Sequence, residues 1–185
     1  MYRRAPIASL ALLVSLLVSL LVPVRVEAEP RWGGEWTVGL APSYAFVVLE
    51  KQSKPRGGGG QLFVRYGLTG TFALGISALW SAHDTDATSD SAATFQVINV
   101  AASVTYSFDW LERFTPAIEG GIGLLYRRSK TAAADLGLQL GVAADYWVLP
   151  WLGLGAAFHY HAFITSPTEY PVFFDAGPRL TARWR

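Results

Sequence analysis

From about residue 35 onward, bulky apolar residues alternate with small or polar ones. A period of two places successive side chains on opposite faces of a β-strand. In the last segment, Phe174, Leu180 and Trp184 share one parity, while Asp175 and Arg179 share the other. The same alternation recurs in segments 35–48, 60–68, 71–82, 94–108, 118–127, 136–146 and 152–161. The pattern therefore predicts eight strands, each with one apolar and one polar face.

The chemistry of the two faces indicates which one points outward. The polar parity is rich in glycine, alanine and serine, which suits the narrow lumen of an eight-stranded barrel. A soluble ligand-binding barrel would crowd the bulky parity inside instead. Tilted strands of roughly ten residues cross about 25 Å, the apolar height of outer membrane barrels. We therefore predict an all-β, eight-stranded antiparallel transmembrane up-and-down β-barrel in the bacterial outer membrane, its bulky face contacting outer membrane lipids.

Aromatic residues and connection lengths support this orientation. Trp and Tyr collect where a lipid-facing surface meets the headgroups. Tight turns are predicted at 68–70 and 148–150, a longer one near 110–113, and long polar connections at 49–60 and 82–93. Short turns would be periplasmic and long loops extracellular, where a surface partner of unknown identity would bind. The predicted aromatic belt contains Trp36, Trp80, Trp110, Trp151 and Trp184.

The N-terminal segment resembles a secretory signal. Two arginines precede an apolar run over residues 5–24, and Val26-Glu27-Ala28 offers small residues where a signal peptidase reads. The run is also long enough to span a membrane, so an uncleaved anchor is the alternative. Charged residues and Pro30 directly after the run favour cleavage. We predict a signal peptide over 1–28 and an outer membrane β-barrel domain over 29–185.

Composition excludes several classes of function. Hydrophobic residues make up 51% of the chain and the mean hydropathy is +0.28, yet only one long apolar run occurs. The remaining apolar residues must therefore be spread over strands. A net charge of +1 provides no basic field for nucleic acid. The chain contains no cysteine, which excludes disulfides, thiolate catalysis and cysteine-ligated zinc.

Three stretches resemble a known family. They are Arg65-Tyr66-Gly67-Leu68-Thr69-Gly70 running into Ala73-Leu74-Gly75, then Glu119-Gly120-Gly121-Ile122-Gly123, and the final strand. They look like the eight-stranded outer membrane barrels that include the OmpA membrane domain, OmpX and OmpW. The resemblance implies a porin-like or structural envelope protein and a C-terminal signal for the outer membrane assembly machinery, although Arg185 follows the aromatic residue that usually ends the chain. That signal would comprise Gly177, Leu180, Ala182 and Trp184.

Charged residues of lumen parity should be paired, because an isolated buried charge is costly. A loop centred near 131 would set Arg127 opposite Asp135, and one centred near 167 would set His159 opposite Asp175. Such pairs would form a polar plug; a continuous pore for small or hydrophobic solutes is the alternative. The predicted lumen network contains Arg65, Glu119, Arg127, Asp135, Asp145, His159, His161, Asp175, Arg179 and Arg183.

The histidines raise a catalytic alternative. His159 and His161 share one strand face, and with Asp175 they could form a metal site or the His-Asp part of a lipid-modifying enzyme. Outer membrane lipid A deacylases carry a lipid-facing His followed two residues later by Ser. Here His161 takes the place of that serine, and both histidines have lumen parity. We therefore expect structural packing and predict no catalytic residue.

Two further motifs fall short of binding sites. Asp84, Asp86 and Asp90 lack the Gly and Glu that a calcium loop needs at the matching positions. The glycines at 57–60 are predicted to be a flexible loop end, since no Lys-Ser/Thr and helix follow them as in a phosphate-binding loop. We expect no metal and no cofactor. The leading hypothesis is a non-enzymatic outer membrane barrel with a role in envelope structure or surface interaction.

Overall fold

The computed structural model describes residues 33–48, 56–84, 95–108, 111–128, 132–164 and 172–185. Each strand pairs antiparallel with the next, and β1 pairs with β8, so the sheet closes into a barrel. No helix in the described ranges has the length and apolarity needed to cross a membrane. The strands are β1 (Trp36–Val48), β2 (Arg56–Gly67), β3 (Phe72–Asp84), β4 (Phe95–Ser107), β5 (Phe114–Arg128), β6 (Ala132–Leu149), β7 (Leu152–Phe163) and β8 (Val172–Trp184).

This architecture confirms the predicted fold class. Closure matters physically, because hydrocarbon offers no water to an unpaired backbone group and a closed barrel has no free edge. Trp36 pairs with Trp184, so β1 begins and β8 ends at the same rim. We call this the turn rim, since the short connections 68–71, 108–113 and 150–151 lie there. The opposite end, where segments 49–55, 85–94, 129–131 and 165–171 connect the strands, is the loop rim.

The outer wall of the barrel is apolar. Large hydrophobic side chains point outward from every strand, and Ile76 is 62% exposed and Leu124 64% exposed. A water-facing surface would not present a continuous band of this kind, whereas lipid tails solvate it. Exposed Trp36 and Tyr66 contact each other at the turn rim, with ring centroids 5.0 Å apart. Of the other predicted belt residues, Trp80, Trp151 and Trp184 are also exposed.

Several strand ends differ from the predicted ones. The glycines at 57–60 belong to β2 and are not a loop end, and residues 82–84 belong to β3. A Cβ built on Gly57 or Gly59 would lie 1.9 or 2.1 Å from a carbonyl oxygen of β3. Only glycine permits this close approach of the two strands, so a sequence typical of a loop forms a strand here. Residues 148 and 149 likewise end β6, and the turn is Pro150 and Trp151.

Some predictions lie outside the described residues. These are the signal peptide over 1–28, the belt residue Trp110, and the acidic residues Asp86 and Asp90. Asp84, predicted in the same loop, is the last residue of β3. The barrel domain is therefore described from residue 33 onward.

The lumen is not polar throughout. A buried apolar cluster lies toward the loop rim and joins β1, β3, β4, β5, β7 and β8. The ring of Phe173 packs against the imidazoles of His83 and His161, with ring centroids 5.6 and 5.0 Å apart. Nearer the turn rim, polar residues share the lumen with Phe63 and Trp147. The apolar cluster consists of Ala45, Leu79, Val97, Leu125, Phe163 and Phe173.

Candidate functional site

Glu119 on β5 is the centre of the buried polar residues. Its Oε1 accepts hydrogen bonds from Arg65 Nη2 at 2.7 Å and from Arg179 Nη1 at 2.9 Å. Both arginines stand on strands three positions away around the barrel, β2 and β8. The two ion pairs therefore cross the lumen and tie its facing walls together. Charge-assisted hydrogen bonds of this length are among the stronger polar contacts in proteins.

His159 joins two carboxylates. Its Nε2 lies 3.1 Å from Glu119 Oε2 and its Nδ1 lies 3.2 Å from Asp175 Oδ1. An ionised carboxylate only accepts hydrogen bonds, so both contacts form together only when both ring nitrogens carry a proton. The geometry therefore corresponds to the imidazolium form of His159. The side chain is 1% exposed, so its charge is balanced by these neighbours rather than by water.

His161 is hydrogen-bonded to the other carboxylate oxygen of Asp175. Its Nε2 lies 2.6 Å from Asp175 Oδ2, and its Nδ1 lies 3.2 Å from the amide nitrogen of Asn99. Because that amide nitrogen is a donor, Nδ1 accepts its hydrogen bond. The ring proton is then on Nε2, which donates a hydrogen bond to Asp175. This is the neutral imidazole. Asn99 also donates to Gln139 Oε1 at 3.5 Å, which extends the network across β4 and β6.

Asp145 extends the network toward the turn rim. Its Oδ1 lies 3.0 Å from Arg179 Nε and accepts a hydrogen bond from the Thr181 hydroxyl at 3.3 Å. We name the connected set the polar cluster. With His159 protonated, its three carboxylates balance three cations. The polar cluster consists of Arg65, Asn99, Glu119, Gln139, Asp145, His159, His161, Asp175, Arg179 and Thr181.

An aromatic ring packs against both guanidinium groups of the cluster. The guanidinium carbons of Arg65 and Arg179 lie 4.1 and 4.7 Å from the ring centroid of Phe63. These are cation–π distances, and such contacts are worth more where water is excluded. Phe63 in turn covers Gly39, whose Cβ position would lie 2.1 Å from the ring. The ring therefore fills the lumen beside the ion pairs.

Three predicted network residues lie apart from the polar cluster. The register sets Arg127 opposite Ala133 and Asp135 opposite Leu125, so the predicted opposition of Arg127 and Asp135 is wrong by two residues. The β5–β6 connection is centred at residue 130 rather than 131, because β5 ends at Arg128 and β6 begins at Ala132. Arg183 lies at the turn rim, where its Nε donates to Pro150 O at 2.6 Å. In contrast, His159 does stand opposite Asp175, as predicted.

Several residues of the lumen were not anticipated. Asn99 and Gln139 share lumen parity with their strand neighbours, so alternation alone could have found them. His83 was missed because its segment was predicted as a loop; its Nε2 lies 3.0 Å from the Ser81 hydroxyl. Phe63 is a bulky residue with lumen parity. The space that its ring fills becomes apparent only from the β1–β2 register, which sets it opposite Gly39.

One glycine controls the position of His159. A Cβ built on Gly141 would lie 2.2 Å from His159 Cδ2, so Gly141→Ala is expected to push the imidazole away from Glu119 and Asp175. We expect a loss of about 1–3 kcal/mol in the free energy of unfolding, the usual cost of overpacking a filled interior. Urea unfolding in lipid vesicles measures it. Gly120→Ala is the matched control, because its Cβ would meet its nearest atom at 3.8 Å on the lipid side; equal losses would contradict the prediction.

A shallow pocket opens at the turn rim. Threonine and serine hydroxyls line it, and Arg65, Asp145 and Arg179 form its inner end. The pocket therefore ends at the polar cluster. Among the described residues, no group of three or more His, Asp or Glu side chains could hold a metal ion.

No family model and no curated protein sequence matches the chain. Solved structures match over nearly the whole barrel: Neisserial surface protein A has a TM-score of 0.67 and 14% identity, covering 82% of this chain and 99% of that one. This chain has the fold of the eight-stranded outer membrane β-barrels.

Two further outer membrane barrels have the same fold. Ail, the attachment invasion locus protein of Yersinia pestis, has a TM-score of 0.58 and 15% identity, covering 82% of this chain and 99% of its own. The outer membrane protein OprG from Pseudomonas aeruginosa has a TM-score of 0.58 and 10% identity, with coverages of 84% and 98%. At such identities the likeness concerns the fold.

Proposed function

We propose that this outer membrane barrel is a non-enzymatic structural component of the envelope whose lumen is closed by its own side chains. The observation that carries the proposal is the pair of contacts from Arg65 and Arg179 to Glu119, which cross the lumen from facing walls. Phe63 packs on both guanidinium groups, and the apolar cluster fills the lumen toward the loop rim. Eight-stranded barrels have an interior just wide enough for side chains to fill, which agrees with this arrangement.

A small pore is the alternative, and conductance separates the two. We expect purified, refolded protein in planar bilayers to give no steady single-channel current, because an ion would have to displace buried, mutually paired charges. A Phe63→Ala variant removes the ring packed on both arginines and is expected to show intermittent current. Phe72→Ala, which removes an exposed ring from the outer wall, is the control. Sustained current from the unaltered protein would reject the closed-lumen role.

A lipid-modifying enzyme is disfavoured by the placement of the histidines. His159 and His161 are 1% and 0% exposed and both point into the lumen, away from lipid. Their ring nitrogens contact Glu119, Asp175 and Asn99, which leaves none directed at a substrate. We expect the lipid A composition of cells to be unchanged when both histidines are replaced by alanine. A changed lipid A profile, with barrel abundance matched by gel, would support the enzyme instead.

A role in surface interaction is the second candidate. The strand ends that the four loop-rim segments connect lie at one end of the barrel, and loops on a rigid scaffold commonly carry binding. The structurally similar Ail is described as an attachment invasion locus protein and has been solved in complex with the heparin analogue sucrose octasulfate. Replacing segment 49–55 by a short turn should leave heat-modifiable mobility unchanged and abolish binding to immobilised heparin. Equal binding by both proteins, or none by the unaltered protein, would remove this candidate.

We also propose that the final strand directs assembly. Leu180 and Trp184 face outward from β8, while Gly177 lies on the lumen side. These outward apolar side chains form the surface that the outer membrane assembly machinery would contact. Trp184→Ala is expected to reduce the folded, heat-modifiable fraction in cells but not the yield of refolding in detergent. Equal reduction in both would indicate a folding defect instead.

A further inference from the structure

The hydrogen-bonded ladder that closes the barrel is interrupted near its middle. Pairing between β1 and β8 runs from Trp36 and Trp184 to Leu40 and Leu180, then resumes at Tyr44 and Ala176. Both strands advance by four residues across the gap, so no bulge intervenes. The unchanged register places Pro42 directly opposite Pro178 inside the gap.

Proline explains the interruption. It has no N–H, so neither Pro42 nor Pro178 can donate across the seam. Successive residues of a strand direct their backbone groups alternately to the left and right neighbours. Since Pro42 pairs continuously with β2 and Pro178 with β7, the interrupted ladder lies on the side where their two carbonyls face each other. Two carbonyls without an N–H between them, at mid-membrane depth, are unfavourable in hydrocarbon.

A single proline has a different effect on β5. Pro116 directs its carbonyl toward β4, where the ladder ends at Ser107 and Ala117, and this carbonyl still accepts a hydrogen bond from the Phe108 N–H at 2.8 Å. At the β1–β8 seam, each proline carbonyl instead faces a second proline, which has no N–H to donate. Of the eight strand pairs in the described barrel, only β1–β8 is interrupted in this way.

The two strands also lie close together at this level. Gly177 permits the close approach of the strands, since a Cβ there would lie 1.9 Å from Pro42 O. Arg179 faces the lumen at the turn-rim end of the gap, whereas the other lumen-facing residues within it are small: Ala41, Ser43 and Gly177. The buried Ser43 hydroxyl has no hydrogen-bond partner in the described structure. On the loop-rim side of Arg179, no bulky side chain of β1 or β8 therefore covers the gap from inside.

We propose that the β1–β8 seam opens locally at Pro42 and Pro178, forming a lateral slit that connects the bilayer with the lumen beside Ser43. The slit lies on the loop-rim side of the Arg179 level, so the contacts that close the lumen lengthwise stay in place while it opens. This inference is separate from the proposed structural role. A barrel without steady current can still have a slit, and a conducting barrel can lack one.

Site-specific labelling tests the slit, because the chain contains no cysteine. Ser43→Cys and Ser77→Cys each place one thiol at a buried, lumen-facing position. Ser77 is the control, since uninterrupted ladders with β2 and β4 flank it. A lipid-soluble maleimide in vesicles should label Cys at 43 faster than Cys at 77, and faster than a water-soluble maleimide does. Equal rates at both positions, or faster labelling by the water-soluble reagent, would overturn the proposal.

Two backbone variants should change the rate in opposite directions. Pro178→Ala supplies an N–H to the Pro42 carbonyl and is expected to slow labelling of Ser43→Cys about two- to tenfold, the equivalent of one hydrogen bond. Gly177→Ala should hold the strands apart and speed labelling. Pro116→Ala is the matched control and should leave the rate unchanged. If Gly177→Ala does not fold, the test rests on Pro178→Ala. An unchanged labelling rate of Ser43→Cys in the Pro178→Ala background would refute the slit.

Discussion

A Glu119→Ala substitution is expected to lower the free energy of unfolding by about 3–5 kcal/mol, the typical cost of removing one partner of a buried ion pair. Glu119 is 3% exposed, and its carboxylate accepts hydrogen bonds from Arg65, Arg179 and His159. Truncation leaves these cations close together, with only Asp145 and Asp175 to balance them. Urea titration of the refolded barrel in vesicles, followed by heat-modifiable mobility, measures the loss.

Two variants separate the ion pairs from simple truncation. Glu119→Gln keeps the shape and one acceptor oxygen but not the charge, so it should fall between the unaltered protein and Glu119→Ala. Glu112→Ala removes an exposed carboxylate in the turn between β4 and β5 and should change stability by less than about 1 kcal/mol. If Glu119→Ala costs no more than Glu112→Ala, the cross-lumen contacts do not hold the barrel together.

Ile76→Arg is expected to cost about 2–4 kcal/mol, the penalty for a cation on the lipid face near the bilayer midplane. Ile76 lies on β3 midway between the exposed rings of Phe72 and Trp80, and it is 62% exposed. In water, a cation at so exposed a position would be almost without cost. The size of the loss therefore reports directly on whether lipid surrounds this wall.

Leu111→Arg is the matched control for this prediction. Leu111 is 58% exposed, but it lies in the turn between β4 and β5, outside the strands. The same change of side chain should there alter stability by less than about 0.5 kcal/mol. Comparable losses for the two variants in vesicles would mean that the outer wall is not in contact with hydrocarbon.

Alternation made the barrel predictable because lipid imposes it locally. A residue's face depends only on its parity along its own strand, so outward positions such as Ile76 and Leu140 are readable without knowledge of any partner. Lumen parity was readable for the same reason, and it correctly placed Glu119, His159 and Asp175 inside. The pairing of His159 with Asp175 was also accessible, since it depends on one connection between neighbouring strands.

Local composition gave a wrong strand boundary where strand pairing depends on close backbone contact and not on an alternating pattern of side chains. The glycines at 57–60 carry no alternation, and they form a strand because they let β2 approach β3 closely. The same error placed His83 in a loop. A displacement of the β5–β6 register by two residues sets Arg127 opposite Ala133 and Asp135 opposite Leu125, although both residues keep lumen parity.

The sequence by itself determined the strand faces, the strand number and the set of charges enclosed by the wall, because these follow from period-two alternation against lipid. Only the tertiary structure decided which charges meet. Arg65 reaches Glu119 from 54 residues away, and Arg179 reaches it from 60 residues away. The juxtaposition of Pro42 and Pro178 likewise exists only after the first strand meets the last. These contacts depend on closure and register, which are properties of all eight strands together and are encoded in no single segment.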